Sequence, residues 1–389
     1  MNSADNTIHF LLGDQPVSID FIKQNISPDT TVLNYLRNIA GRKGTKEGCA
    51  EGDCGACTVV VAEPDEEGQL HYNSADSCLI LLPQLHGKQL ITIEDLGTPD
   101  NLHQVQQSMV DHHGSQCGFC TPGMVMSLYA MHKSQEIQTR ETINDHLSGN
   151  LCRCTGYKPI LHATVDSLNY ANPESLKERE QEIAKILNRI LTRKQSINIE
   201  LNNQIYFLAF QLSAALSFLN DHSNCTILAG GTDVALRINK KHEKIPVILD
   251  ISGIDEIKQI QLLQNQSLWI GAGVNLETVR QICIDGFPAL HSMLSWFGSK
   301  QIRNKATLGG NLGSASPIGD TIPVLMAYNA VVVLQNQITT RRVPARGFIT
   351  GYRKTVLNPG ELISAVEIPV PPKQRSEERR VGKECRSRW

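Results

Sequence analysis

The chain has 389 residues, room for two or three domains of about 100–200 residues each, and its 41% apolar content is enough for packed cores. A formal net charge of −2 gives no reason to expect a nucleic-acid partner, and no apolar run approaches the roughly 20 residues that cross a bilayer. The opening Met1-Asn2-Ser3-Ala4-Asp5-Asn6 has neither a basic start nor an apolar stretch, so the expectation is a soluble, cytoplasmic chain with no secretory signal and no membrane contact.

In chain order, residues 8–12 and 15–19 are predicted as short strands joined at Gly13-Asp14. Residues 31–39 carry Val32, Leu33, Tyr35 and Leu36 at helical spacing, which predicts a helix laid across a small sheet. Cysteine then becomes the dominant signal. Of eleven cysteines, eight lie between Cys49 and Cys154, while Cys225, Cys283 and Cys385 are scattered. Without a secretory signal, such clustering argues for metal ligation over a disulfide framework. Ordinary buried thiols account for the last three and poorly for the first eight.

The first group is Gly48-Cys49-Ala50-Glu51-Gly52-Asp53-Cys54-Gly55-Ala56-Cys57, running into a strand over 58–62, with Cys78 ahead of the apolar run 79–82. Its spacing, C-x4-C-x2-C-x20-C, is the plant-type [2Fe–2S] pattern. A tight loop must aim three sulfurs inward, so Gly48, Gly52 and Gly55 are expected to take unusual φ angles and to leave N–H groups for the sulfurs. Zinc is the rival, but zinc sites usually show C-x2-C twice.

The second group is Gln116-Cys117-Gly118-Phe119-Cys120-Thr121-Pro122-Gly123 and Leu151-Cys152-Arg153-Cys154-Thr155-Gly156-Tyr157, spaced C-x2-C-x31-C-x1-C. Helices are predicted over 124–133, 137–146 and 160–170, with Thr121 and Thr155 as N-caps and Pro122 and Pro159 in first turns. Cysteines near helix starts meet N–H groups and a dipole that favour thiolates. Two pairs joined across a helical hairpin predict a four-thiolate pocket in a largely buried place. Gln116, by itself, is an ordinary polar residue beside a helix.

Residues 172–200 turn charged and polar. Leu176, Ile183, Ile186, Leu187 and Ile190 form one stripe, predicting an amphipathic helix on a neighbour and then a polar linker over 195–198. A further domain is expected from about Gln204. Within it, 210–219 reads as a helix and 226–229 as a buried strand ending at Gly230-Gly231-Thr232-Asp233. Paired glycines between a strand and a helix can cradle phosphate, although alone they read as a plain turn. A second run, Ala306-Thr307-Leu308-Gly309-Gly310-Asn311-Leu312-Gly313, continuing to Asp320, strengthens the cradle reading. Neither run fits G-x-G-x-x-G or G-x4-G-K-[ST], which disfavours Rossmann and P-loop sites.

The paired cysteine signatures resemble the iron–sulfur portion of the molybdenum hydroxylases, the family of xanthine dehydrogenase, aldehyde oxidase and carbon monoxide dehydrogenase. The glycine runs resemble the FAD domain of the same family. The resemblance implies a multidomain α+β fold: a β-grasp ferredoxin-like [2Fe–2S] domain over 1–95, a four-helix [2Fe–2S] domain over 96–171, a linker over 172–200, and an incomplete α+β FAD-binding domain over 201–374. It implies two clusters, one held by Cys49, Cys54, Cys57 and Cys78, the other by Cys117, Cys120, Cys152 and Cys154. Gln116 would face the pterin of a molybdenum cofactor on a partner subunit.

For FAD, the resemblance sets the diphosphate against Leu228, Ala229, Gly230, Gly231, Thr232 and Asp233, with the Thr232 hydroxyl as donor. It puts Phe297 beside the flavin, and Thr307, Gly309, Gly310 and Asn311 in the second loop. Asp320 would hold the polar tail of the cofactor, Ile363 would make an apolar contact, and Tyr352 would lie near a nicotinamide. The ordinary alternatives are a helix cap for Asp320 and a core position for Phe297.

The implied function is electron transfer from a molybdopterin-bearing large subunit, in a heterotetramer or larger assembly, through both clusters to FAD and then NAD. No residue of this chain is a candidate for the hydroxylation itself. The arrangement most resembles the small subunit of bacterial xanthine dehydrogenases. Alternatives are the equivalent aldehyde or nicotinate hydroxylase subunit and a ferredoxin-like carrier without functional flavin. Residues 375–389 depart from the family. They lack periodicity, and one codon choice for them spells a sequencing adapter. The expectation is an artefactual tail in place of roughly a further hundred residues, with FAD binding weak or lost and both clusters intact; a charged disordered tail is the plain alternative.

Overall fold

The structure is a computed structural model that describes residues 6–371 except 66, 135, 138, 169–174 and 193; the end of the helix expected over 160–170 and the tail over 375–389 lie outside the described residues. Strands β1 (Thr7–Leu12) and β2 (Gln15–Asp20) form an antiparallel hairpin, with Gly13 at φ +57° in its turn. A short helix α1 (Phe21–Gln24) follows. Strands β3 (Thr58–Pro64), β4 (Leu70–Asp76) and β5 (Gln89–Ile91) complete a sheet ordered β2-β1-β5-β3-β4, in which β1 and β5 run parallel. Period-two alternation sends Ile8, Phe10, Val59 and Val61 to one face, where they join Val32, Tyr35 and Leu36 in one core. Those last residues lie on α2 (Val32–Asn34), capped by Thr31, and on a π-helical turn, Tyr35–Ile39, which widens what the sequence predicts as one regular helix.

The opposite face of the sheet is also covered. Val60 and Ile91 pack against Met126 and Ala130 of the helical domain. That domain comprises α3 (Gln104–Asp111), α4 (Thr121–Lys133), α5 (Arg140–Leu147) and α6 (Lys158–Ser167) around Met124, Leu128, Met131, Ile143 and Ile160. Its caps differ from the expected ones. Cys120 takes the N-cap position in place of Thr121, and Tyr157, left-handed at φ 67°, takes it in place of Thr155. The Thr155 hydroxyl is engaged elsewhere: it lies 3.1 Å from Cys152 Sγ and accepts the Tyr157 N–H. Helix α5 starts later than expected because Thr139 caps it.

Helix α7 (Ser175–Leu191) lays Ile183 and Leu187 on Leu11 of the ferredoxin-like sheet. Each such burial contributes about 1.5–3 kcal/mol, so this helix is a clamp on the sheet rather than a tether. The polar stretch expected over 195–198 is shorter, because β6 (Ile197–Leu201) already begins the next sheet.

The third region has two layers. The first is a sheet ordered β6-β7-β9-β8, formed with β7 (Gln204–Leu208), β8 (Thr226–Leu228) and β9 (Val247–Asp250), which carries α8 (Leu212–Asp221) and α9 (Val234–Asn239). The second is an antiparallel sheet ordered β10-β11-β16-β12-β13, from β10 (Ile260–Leu262), β11 (Ser267–Gly271), β12 (Val331–Gln335), β13 (Thr340–Pro344) and β16 (Leu362–Pro369). A small hairpin joins β14 (Ile349–Gly351) to β15 (Lys354–Thr355). Helices α10 (Leu276–Ile282), α11 (Pro288–Ser295), α12 (Lys300–Arg303), α13 (Leu308–Gly313), α14 (Thr321–Ala327) and α15 (Ala345–Phe348) connect these strands. The regions are fused through their cores: Ile199, Tyr206, Leu228 and Ile248 belong to the same apolar cluster as Phe10, Phe21 and Leu82.

Candidate functional site

The first cysteine group folds as a loop closed by two backbone requirements. Gly52 and Gly55 sit at φ +85° and +66°, where a side chain would be strained. Gly48 does not need a positive φ; it is small because a Cβ there would lie 2.8 Å from Cys54 Sγ. The thiols meet in twos. Cys57 and Cys78 Sγ are 3.4 Å apart and nearly fully buried, and Cys49 contacts Cys54. Burial pushes Cys54 up to about 11; it also pushes on Cys49, where the N–H groups of Glu51, Cys54 and Asp53 outweigh it and lower the pKa. Contact with Cys78 and burial carry Cys57 well above the usual thiol range. Asp76, buried beside Cys57 at 3.6 Å, leaves Oδ2 without a partner.

The second group pairs the same way. Cys117 contacts Cys154, and Cys120 contacts Cys152. The Phe119 N–H lowers the Cys117 pKa. Burial and Cys152 push Cys120 up to about 12, while the Thr155 hydroxyl and N–H outweigh burial at Cys152 and lower it. The surroundings differ from the expected buried pocket: Cys117 and Cys154 are exposed, together with Gln116, and Phe119 and Leu151 beside them are 48% and 58% exposed. The physical reason is position. These cysteines sit on the loops at the outer ends of the helices, and no element of the described residues covers that end.

Pairing bears on the metal. Four thiols in two pairs suit a binuclear cluster, in which each iron takes two sulfurs. The residues present therefore fit two such clusters, with Cys49/Cys54 and Cys57/Cys78 on one and Cys117/Cys154 and Cys120/Cys152 on the other.

The two groups are stitched together. Leu151 N–H donates to Cys54 O at 3.0 Å, and Asn150 Nδ2 donates to Gly55 O at 2.9 Å. Asn150 Oδ1 accepts from Ser127 Oγ at 2.6 Å and from Gln301 Nε2 at 2.9 Å, so the third region joins the knot. On the other side, Asn239 Nδ2 donates to Cys78 O at 2.7 Å and Ala50 O at 3.1 Å, and Lys240 Nζ to Cys49 O at 3.1 Å. Gln84 Nε2 donates to Ala229 O at 2.9 Å, tying the first glycine loop to the ferredoxin-like domain. Sequence reading missed Asp76, Asn150, Asn239 and Gln301. A polar residue directly before Leu151-Cys152 was the one local hint.

A charged knot holds the helical domain to the third region. Arg303, 1% exposed, binds Glu277 at 2.6 Å and Asp145 at 2.6 Å, and Lys300 binds Glu136 at 2.6 Å and lies 2.8 Å from His146 Nε2. Against burial, His146 and Lys300 hold Glu136 at about 2, and Arg280 and Arg303 hold Glu277 at about 2.

The glycine runs cross each other. A Cβ on Gly230 would lie 1.9 Å from Lys305 O, so only glycine permits this approach, and Gly231 takes φ +89°. Leu228 is fully buried, and Thr232 is half-buried at the turn. Thr307 caps α13 by accepting from Gly310 N at 3.0 Å. Gly309 packs α13 on Ala272, where a Cβ would lie 2.5 Å from another Cβ, whereas Gly310 is exposed. Asn311 Oδ1 accepts from Thr321 Oγ1 at 2.5 Å, which brings the exposed Asp320 to the same end. Asp320 stands at the start of α14 and makes no side-chain cap, so the cap alternative does not hold. Phe297 packs half-buried on the second core, and Ile363 is buried there opposite Gly313. Asp233 is paired with Arg353 at 3.2 Å, placing the 77%-exposed Tyr352 beside the first loop. What the two crossing loops leave open to a phosphate-bearing cofactor is the exposed Gly310 and the half-buried Thr232.

Comparison with known proteins agrees with this layout. Residues 21–82 match the 2Fe-2S iron-sulfur cluster binding domain, residues 92–165 the [2Fe-2S] binding domain, and residues 198–371 the FAD binding domain in molybdopterin dehydrogenase. The chain is 32% identical over 414 residues to xanthine dehydrogenase/oxidase of Rattus norvegicus, covering 94% of this chain and 31% of that protein. It is 32% identical over 419 residues to xanthine dehydrogenase of Emericella nidulans, covering 94% and 30%. The chain thus spans about a third of the length of these curated relatives. Among solved structures, CO dehydrogenase from Oligotropha carboxidovorans is similar at 24% identity over 43% of this chain and 59% of that one, with a TM-score of 0.41. Aldehyde oxidoreductase from Desulfovibrio gigas is similar at 29% over 46% and 18%, with a TM-score of 0.37.

Proposed function

The chain belongs to the molybdenum hydroxylase family as its iron–sulfur and FAD-binding portion, and from that premise we propose that it serves a xanthine dehydrogenase-type enzyme, accepting electrons from a molybdopterin-bearing partner and delivering them to NAD. When bound, the clusters supply one-electron steps and FAD the change to a two-electron acceptor. The observation that carries the order is the central place of the ferredoxin-like loop. Its Cys54 carbonyl is bonded from Leu151 on one side, and its Cys78 carbonyl from Asn239 on the other.

This chain's residues hold, space and shield the carriers; substrate oxidation belongs to the partner. The exposed patch of Gln116, Cys117, Phe119, Leu151 and Cys154 suits a protein interface, and we assign the molybdenum subunit to it, in a heterotetramer or larger complex. Tyr352, exposed beside the Asp233–Arg353 pair, suits the nicotinamide side.

Co-expression with the molybdenum-binding subunit, then assay of purines, aldehydes and nicotinate with NAD, tests the reading. Purine-dependent NADH formation is the expected result. NADH formed only with aldehydes or nicotinate would overturn the purine assignment, and clusters without any flavin would mark a plain electron carrier.

A further inference from the structure

A cleft of about 260 Å3 opens between the ferredoxin-like sheet and the crossing glycine loops, lined by Glu63 and Lys88 from one side and Gly230, Lys258, Lys305 and Thr307 from the other. Three lysines from distant segments therefore line one space. Lys88 Nζ pairs with Glu63 at 2.8 Å. Lys258 Nζ lies 3.7 Å from Asp255, which also takes Lys194 at 3.1 Å. Lys305 makes no ion pair among the described residues. The remaining acid in range, Asp250, accepts the Tyr206 hydroxyl at 2.5 Å, and burial raises its pKa.

The like charges lie close enough to act on one another. Burial, then the charge of Lys88, pushes Lys305 down to about 8, and burial likewise lowers Lys258. Against burial, Lys88, Lys258 and Lys305 together hold Glu63 at about 2. A cavity wall that gathers cations at such cost is stabilised by an anion placed among them. The close approach of Gly230 to the Lys305 carbonyl fixes the Lys305 backbone on that wall, with Thr307 lining it two residues on.

We propose that this inter-domain cleft binds the phosphate groups of a nucleotide-like anion, with Lys305 as the central contact and Lys88 and Lys258 beside it. The anion is either the diphosphate of FAD itself, an arm that rests on the FAD reading, or a separate phosphate ligand, which does not. No covalent step is involved. The site makes the ferredoxin-like domain, through Lys88, a direct participant in anion binding by the third region.

The test is calorimetric titration of the intact, cluster-loaded chain with inorganic pyrophosphate, with and without FAD, for wild type, Lys305→Met and Lys305→Arg. Loss of one charge-assisted contact weakens binding by about tenfold. That loss is expected in Lys305→Met and not in Lys305→Arg, with wild-type affinity falling as pH rises through about 8. If the anion is that of FAD, flavin loading blocks pyrophosphate, and Lys305→Met weakens FAD but not riboflavin. If the ligand is separate, pyrophosphate still binds the FAD-loaded chain. Pyrophosphate binding in a chain that takes no flavin would sink the FAD reading alone. Equal binding by wild type and Lys305→Met, or none by wild type in the FAD-free and FAD-loaded chain alike, overturns the proposal; circular dichroism of the variants excludes misfolding as the cause.

Discussion

The two cysteine groups share one ligand chemistry and differ in almost everything around it. In the ferredoxin-like loop, Cys57 and Cys78 are 2% and 1% exposed, and two other regions bond to the loop backbone. In the helical domain, Cys117 and Cys154 face solvent. Under the proposed function, the contrast would separate an interior relay from a docking end: burial and bonding on both sides suit a carrier with fixed neighbours, and exposure suits one that meets the molybdenum-bearing part.

The largest expected effect breaks that contrast at the metal. Cys78→Ser should lose the ferredoxin-like cluster and loosen its domain, because structural metal binding is folding free energy. Cys154→Ser should lose roughly half of the iron while the fold persists. Iron analysis with near- and far-ultraviolet circular dichroism reads both; equal unfolding in the two variants would erase the distinction. A chelator should likewise strip the exposed helical cluster first, seen as stepwise bleaching, and simultaneous loss would contradict it.

Next in size are the knots that hold the centres in place. Arg303→Met removes the most buried cation from Glu277 and Asp145, leaving Arg280 beside both, and should cost about 2–4 kcal/mol in denaturant unfolding. Asn150→Ala removes bonds to Gly55, Ser127 and Gln301 and should cost about 2–3 kcal/mol. It should also shift the magnetic resonance signals of both clusters, whereas Arg303→Met should not. A smaller effect is set by pH. Glu136 and Glu277 sit at about 2, below the ordinary value of about 4.3. Their stabilisation is complete above the ordinary value and is lost as pH falls from there through about 2. Thermal midpoints should decline across that window, and less steeply in Glu277→Gln. Smallest of all, Arg353→Ala breaks an exposed pair and should cost under about 1 kcal/mol.

What could be read beforehand follows from the range of the interactions. Cysteine spacing is local chemistry, so both groups and the first hairpin were legible, as were the strand-to-glycine turn at Leu228–Gly231 and the second glycine run. Asn239 and Gln301 act on backbone and side chains far away in sequence, at Cys78 and Asn150, and no local pattern marks them. The apolar stripe of α7 announced a packed helix but not that Leu11 would be beneath it. Burial of the helical cysteines was misjudged because a helix start attracts thiolates whether or not anything covers it. The N-caps were misplaced by one or two residues because the Thr155 hydroxyl is engaged by Cys152 and the Thr121 hydroxyl donates to Ser115.

The relay claim is most directly tested by stopped-flow spectroscopy of the cluster- and FAD-loaded chain, mixed with a small reductant that reaches the exposed helical cluster. Flavin reduction should follow helical-cluster reduction in wild type and should collapse in preparations of Cys78→Ser assayed to hold both the helical cluster and flavin. Unchanged flavin reduction in that variant would show that electrons pass the ferredoxin-like loop by, and the account of it as the interior relay would be wrong.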